Sequence, residues 1–443
     1  MGTRAERIRH LLLGLAATLL SAGTVAAHDG ASGSGPIAGH AERVAGEAHA
    51  GRMSFSSGEV EIPAFARTYG VSCNLCHMPF PKLTEFGETF AGNGFQFAVD
   101  EPPRDTIDTG DPLLQLMKDL PLAVRFDAYA QGVSGSEGEE VSNDFGFPWG
   151  VKLLTGGVLA ENVSWYMYFY LSERGEIAGL EDAYIQFTDM WGSGIALLVG
   201  QFQVSDPLFK RELRLEFEDY MPYRVRVGDA RADLTYDRGL MAIWSPWANG
   251  DLALGVVNGQ GLTEARDVRQ YDRDAGKNIY LRYSHSLGAL RLGAFGFYGD
   301  EKANEVRNNT WIFGPDASLA LGDLWEINGQ YLYRSDDQPF FDNVGAPTDT
   351  EVHSVLGEVL WWPSGRAGRW TLSALYNWVD SDQPIFTLRV GEGTPENPFI
   401  QTYSFGALGA NWLFWRNLRL TGELGWDFER EFARLALGFN AAF

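Results

Sequence analysis

The chain has 443 residues, enough by length alone for about three domains. Its mean hydropathy of -0.17 is too polar for a multi-helix membrane protein, and a formal charge of -23 disfavours a nucleic-acid partner. The 52 Gly, 14 Trp, 17 Tyr and 28 Phe suit β-structure with tight turns and aromatic surfaces, and only two cysteines are present.

Residues 1–27 read as a secretory signal peptide. Arg4, Arg7 and Arg9 precede an apolar run from Leu11 to Leu20, and Thr24-Val25-Ala26-Ala27 supplies small residues for cleavage. The run is short for an uncleaved anchor, which takes about 20 residues. Removing three Arg and Glu6 leaves a mature charge of -25. Residues 28–58 are rich in Gly, Ala and Ser and read as a flexible linker. They carry His28, His40 and His49, for which a solvated tract is a simpler reading than a metal site.

Cys73-Asn74-Leu75-Cys76-His77 is a C-x-x-C-H sequence, the attachment signature of c-type haem. Two thiols at this spacing reach the vinyl groups of one porphyrin while His77 meets the iron from one face. The rivals are a thioredoxin-like pair, which lacks a βαβ context, and half a zinc site, which lacks further cysteines. One haem c is therefore expected in a small helical domain over 59–120. Around the motif, Ile62 to Tyr69 precede it, and a helix is expected over Lys82–Ala91, stopped by Gly92-Asn93-Gly94. Leu83, Phe86 and Phe90 share one face of that helix. Met78 adjoins His77 too closely to reach the opposite face of the same iron. Met117 is the named candidate for the sixth ligand, beside Met53, His40, His49 or an open position; as a lone Met in an apolar run it reads equally as packing.

From Leu122 onward, about 320 residues alternate polar and apolar side chains in segments near ten residues long. Strands are expected near 122–132, 147–156, 163–173, 181–190, 195–203, 231–245, 251–259, 277–287, 289–299, 308–319, 324–334, 352–362, 368–380, 401–413, 417–427 and 431–443. Connections after even strands are short, whereas several after odd strands are long and polar. A soluble sandwich has no reason to sort its loops by parity; an outer-membrane barrel does. Trp191, Trp247, Trp361, Trp362 and Trp415 sit at the short turns, as an interfacial aromatic girdle would. Leu435, Leu437 and Phe439 share a face in the final strand, which ends at Phe443. The expected fold is an all-β transmembrane barrel of about sixteen antiparallel strands over 121–443, preceded by the α-helical haem domain and holding the chain in the outer membrane.

After the fifth strand, Ser205-Asp206-Pro207 reads as a helix start and Leu208–Tyr220 alternates charge with apolar residues. Lys210, Arg211, Glu212, Arg214, Glu216, Glu218 and Asp219 are candidates to line a constriction or touch the haem domain, as the inward-folded loop of porins does. A solvated surface helix is the equal alternative. Glu137, Glu139, Glu140, Asp144, Asp336, Asp337, Asp342, Asp380 and Asp382 read as solvated loop charge that would attract cations.

The stretch from Pro63 through Cys73-Asn74-Leu75-Cys76-His77 to Pro81-Lys82-Leu83 and Phe86-Gly87, followed by the barrel pattern, resembles the fused outer-membrane monohaem cytochrome c–porin family of iron-oxidising bacteria. The close motif covers about 30 residues, and the barrel has no motif specific for iron. The resemblance implies electron transfer from extracellular Fe(II) to a periplasmic carrier such as a soluble cytochrome, an iron:cytochrome c oxidoreductase activity. An outward conduit to an extracellular acceptor, and a diffusion porin with an accessory haem, are the alternatives; a peroxidase lacks a distal acid–base candidate. One haem cannot connect the two sides of an envelope membrane about 40 Å thick. A haem domain inserted in the lumen from the periplasmic side shortens that gap, and a barrel of this size has room for it.

Overall fold

A computed structural model describes residues 64–98, 106–118, 120–134, 142–265, 269–272, 274–341, 343–388 and 398–443. The expected signal peptide and linker, with His28, His40, His49 and Met53, lie outside the described residues. So do Glu137, Glu139, Glu140 and Asp342.

Sixteen antiparallel strands form one closed barrel. In chain order they are β1 (Leu122–Val133), β2 (Ser142–Ala160), β3 (Val163–Glu173), β4 (Gly179–Phe187), β5 (Ile195–Gln203), β6 (Tyr236–Trp247), β7 (Gly250–Val257) and β8 (Asn278–Leu287). They continue as β9 (Leu290–Ala303), β10 (Val306–Leu321), β11 (Trp325–Asp336), β12 (Thr350–Trp361), β13 (Trp370–Ser381), β14 (Thr402–Trp415), β15 (Leu418–Asp427) and β16 (Phe432–Ala442). Each pairs with its sequence neighbour, and β16 closes on β1 from Arg434↔Val133 to Ala442↔Arg125. At the seam the Phe443 amide donates to Val124 O at 2.8 Å.

The period-2 alternation sorts the wall into two faces. Ile279, Leu281, Trp311, Phe313, Leu408, Leu424, Trp426, Leu435 and Leu437 are exposed, while Asn328, Gln330, Arg334, Glu358, Asn377 and Asn440 are buried. A closed sheet satisfies its own backbone, and an apolar exterior over a polar interior is stable in lipid, not water. No helix among the described residues is long and apolar enough to cross a membrane. The chain is an outer-membrane β-barrel.

Turns after even strands are short, as the parity argument requires. One outer connection departs from the expectation: β9 and β10 extend until only Asn304 and Glu305 join them, both at positive φ, a tight hairpin turn. Asp336 is also not loop charge. It lies in β11, fully buried, with its oxygens on Arg334 Nε (2.7 Å) and Nη2 (3.1 Å).

Residues 204–235 fold into the lumen, and the expected helix over Leu208–Tyr220 does not form. Two single 3-10 turns, Arg211–Leu213 and Met221–Arg224, replace it. A continuous helix would satisfy its own backbone; here the wall does that instead. The Phe217 amide donates to Glu423 Oε2 at 2.7 Å, and the Met221 amide to Asn377 Oδ1 at 3.2 Å. Phe202, Val204, Tyr220, Tyr223, Val225 and Leu234 join Phe295, Ile312, Leu356 and Phe405 of the wall in one buried apolar cluster. The lumen at this height is a packed core.

Candidate functional site

The segment before the barrel is three short helices, α1 (Ala64–Tyr69), α2 (Cys73–Cys76) and α3 (Glu85–Gly92). Thr84 caps α3, accepting from the Gly87 amide at 3.0 Å while its own hydroxyl donates to Leu75 O at 2.7 Å, which ties α3 to α2. The observed α3 begins three residues later than the expected Lys82, because Pro81 and the Thr84 cap hold the preceding turn extended. Gly87 is required for close approach: a Cβ there would meet Cys76 O at 2.3 Å.

Phe65, Tyr69, Phe86, Phe90, Phe95 and Phe97 gather into one ring cluster, with Phe65 stacked on Phe95 at 4.9 Å and edge-on to Phe90 at 5.4 Å. Tyr69 OH donates to Phe95 O at 2.7 Å. Of the expected face, Phe86 and Phe90 join the cluster, and Leu83 instead bridges backbone-to-backbone with His77.

Cys73 and Cys76 lie one helical turn apart and form no disulfide. Burial, with the neighbouring Cys73, pushes the Cys76 thiol up to about 11, so it stays protonated. The His77 Nδ1 stands 3.1 Å from Pro81 O. A carbonyl only accepts, so Nδ1 carries the proton and Nε2 keeps its lone pair. Burial, and behind it the Arg125 cation, hold the imidazole below its usual range and therefore neutral. Two thiols at C-x-x-C spacing, not joined in a disulfide, and an oriented, neutral imidazole fit the requirements of a c-type haem; the ring cluster supplies an apolar surround.

The segment sits in the barrel mouth at the short-turn end, touching the wall on several sides. Arg67 Nη2 donates to Leu122 O of β1 at 2.6 Å, and Gln186 Nε2 of β4 donates to Gly92 O at 2.7 Å. Phe95 stacks on Tyr166 of β3 at 5.4 Å. Lys82 Nζ meets Glu326 Oε1 of β11 at 2.8 Å. Trp362 Nε1, beyond β12, donates to Met78 O at 3.2 Å, and Arg419 of β15 lies 5.9 Å from the Phe80 ring. Trp362 is thus no girdle residue: it is 0% exposed and faces inward, whereas Trp191 is 94% exposed. Leu215 of the lumen loop packs with Leu360 and Trp362, so loop, wall and mouth segment meet at one indole. Sequence reasoning missed Trp362 because a Trp at a turn reads the same whether it faces lipid or lumen.

Met117 is placed elsewhere. It pairs with Thr106 in a two-residue ladder, and its Sδ lies 3.5 Å from where a Gly157 Cβ would stand. Gly156, the next residue, faces Phe65, so Gly157 and Met117 lie on the opposite side of the wall. The structure does not bring Met117 to His77.

The loop charges all point into the barrel. Burial opposes ionising Asp219, but the guanidiniums of Arg211, Arg214 and Arg224 override it and hold the carboxyl well below the usual range. Glu212 accepts from Lys152 Nζ and Tyr168 OH, each at 3.0 Å; despite burial, Lys152 and Arg214 hold it down to about 2. Lys210 is half-buried. Among the described residues no group of three or more His, Cys, Asp or Glu side chains is arranged to hold a metal ion.

No family model and no curated protein matches this sequence. Solved structures do match. OprB of Pseudomonas putida is similar at 9% identity and a TM-score of 0.51, covering 73% of this chain and 94% of that one. The outer membrane channel DcaP of Acinetobacter baumannii is similar at 10% identity and a TM-score of 0.50, covering 73% and 97%. A loop-deletion mutant of OmpT, an outer membrane protein of Vibrio cholerae, is similar at 11% identity and 0.50, covering 73% and 99%. At such identities the likeness is one of fold, and that fold is the porin barrel of the bacterial outer membrane.

Proposed function

We propose that this protein is an outer-membrane electron conduit carrying one c-type haem on Cys73, Cys76 and His77, which takes electrons from extracellular Fe(II) and delivers them to a periplasmic carrier. The observation that carries the reading is the His77 Nδ1–Pro81 O hydrogen bond, which frees Nε2 inside a segment lodged in the barrel mouth. When bound, the haem supplies one-electron chemistry at its iron. Cys73 and Cys76 hold it covalently, the Pro81 carbonyl orients the ligand imidazole, and the Phe65–Phe97 rings exclude water. Against a diffusion porin stands the lumen itself, filled by the 204–235 loop at mid-height and by the haem segment at one mouth.

Pyridine haemochrome assay of the purified chain should give one covalent haem, abolished by Cys73→Ser with Cys76→Ser. In the intact barrel, added Fe(II) should reduce it. A haem-free wild-type chain would overturn the reading. A very low reduction potential would replace Fe(II) with outward flow to an extracellular acceptor, and solute flux through reconstituted barrels would favour the porin.

A further inference from the structure

The inner wall opposite the haem segment contains a buried cation with no carboxylate in hydrogen-bonding contact; Asp127, bonded to the same Asn440 at 2.6 Å, and Glu216 and Tyr129 act on it from a distance, and Arg125 opposes them. Arg419 of β15 is 1% exposed. Its Nε and Nη2 donate at 3.2 and 2.7 Å to one neutral acceptor, Asn440 Oδ1, and Nη1 has no partner. Other buried guanidiniums of the lumen meet carboxylates: Arg282 with Asp316 at 2.6 Å, Arg334 with Asp336 at 2.7 Å, and Arg211 with Asp219. A buried guanidinium with one N–H unmet and no carboxylate in contact is disfavoured and leaves room for a further anion.

The guanidinium is aimed at the mouth segment, over the Phe80 ring next to Pro81. It is not alone in wanting a partner. Asn411 Nδ2 is buried and unpartnered as well. The sheet register brings Arg419, Asn411 and Ser373 together: Leu413 pairs with Arg419, Asn411 with Thr421, and Ser373 with Gly409. Glu216 of the loop faces Ser373, whose hydroxyl serves its carboxyl. Water would satisfy the neutral donor but would not neutralise the guanidinium.

We infer that this patch of β13–β15 binds a carboxylate of the haem, with Arg419 as its charged donor and Asn411 and Ser373 beside it. The inference rests on the haem reading above. A haem held through its vinyl edge by Cys73 and Cys76 carries two propionate carboxylates on its other edge, and the mouth segment offers them no described arginine of its own except Arg67, which is spent on Leu122 O. The barrel wall would thus complete a cofactor site that the haem segment only half builds.

The test uses the full-length chain in detergent. Arg419→Gln removes the charge and keeps an amide for Asn440. The readouts are covalent haem by pyridine haemochrome and the reduction potential from about pH 5 to 8. We expect one haem per chain in both proteins. At a fixed potential the reduced-to-oxidised ratio should fall about tenfold in the variant, equal to about 59 mV for a one-electron couple. The potential should also become pH-dependent as the released carboxylate titrates, and Arg419→Lys should restore most of the wild-type behaviour. An unchanged potential and pH profile with haem retained would overturn the inference. If Arg419→Gln does not yield a folded barrel, Asn411→Leu decides: a smaller fall in the same direction supports the site, and none overturns it. Dependence of the wild-type potential on added acetate would assign the patch to a free anion and also overturn it. Absence of haem from the wild-type chain, by contrast, sinks the underlying reading.

Discussion

The loop inside the lumen and the segment at the mouth occupy the same barrel, but they are held in different ways. The 204–235 loop is charge-balanced: Asp219 has three guanidiniums, Glu212 has Lys152, and Glu218 has Arg434 at 2.7 Å. The mouth segment touches the wall through scattered single contacts from Arg67, Lys82, Met78 and Gly92. Around it the wall keeps unsatisfied polar atoms, Arg419 Nη1 on one side, and Ser164 Oγ and Thr188 Oγ1 beside Gly94 on another. The loop is part of the barrel's own core, whereas the mouth segment is tied to the rim by separate contacts.

The comparison breaks most visibly at Asp219. Replacing it with Ala strands Arg211, Arg214 and Arg224 in the lumen, which should cost about 3–5 kcal/mol of barrel stability. The urea midpoint of the barrel should drop sharply while covalent haem per folded chain stays the same. Loss of haem together with barrel stability would mean that loop and mouth segment are one cooperative unit.

The converse change is Gly87→Ala. Its Cβ would press on Cys76 O at 2.3 Å, and backbone cannot yield as a side-chain tip can. Overpacking of this kind costs about 1–3 kcal/mol. The gain in helix propensity from Gly to Ala, about 1 kcal/mol, does not offset the upper part of that range. We expect proteolysis of the haem segment to speed up and haem attachment to fall, with the barrel's urea midpoint unmoved. A barrel destabilised as much as its mouth segment would contradict the division drawn here.

What was legible in the sequence follows the same division. The wall was, because a strand with lipid on one face and lumen on the other must alternate, and all sixteen strands fall where that alternation places them. The Cys73–His77 spacing was legible too, since its chemistry is local. The loop was half legible: its inward fold was one of two readings, but its charge alternation suggested a helix, and only the partners Glu423 and Asn377, about 160 to 200 residues away, explain why none forms. Long-range pairing also hid Asp336 among the loop charges, though Arg334 lies two residues before it. Trp362, Arg419 and the placement of Met117 depend on which way a residue faces in the closed barrel, which periodicity at a turn or in an irregular stretch does not fix.

The smallest effect tests the boundary between the two regions, at Glu216. It belongs to the loop, yet it stands outside the ion pairs that hold Asp219, Glu212 and Glu218, and it acts on Arg419. Burial, then repulsion from Glu358 and Glu423, pushes its carboxyl up to about 8. In the unfolded chain it titrates near its ordinary value, so between about pH 5 and 8 the folded state binds more protons. Stability contributed by the neutral form is therefore full below the unfolded value and declines as pH rises through the folded one. Glu216→Gln should remove that decline, flattening stability between roughly pH 6 and 8. Urea midpoints at a series of pH values provide the measurement. A neutral Glu216 is also a donor, which is what a carboxylate arriving at Arg419 from the haem side would need. The same slope in wild type and variant would return Glu216 to the balanced loop and leave Arg419 unsupported from above.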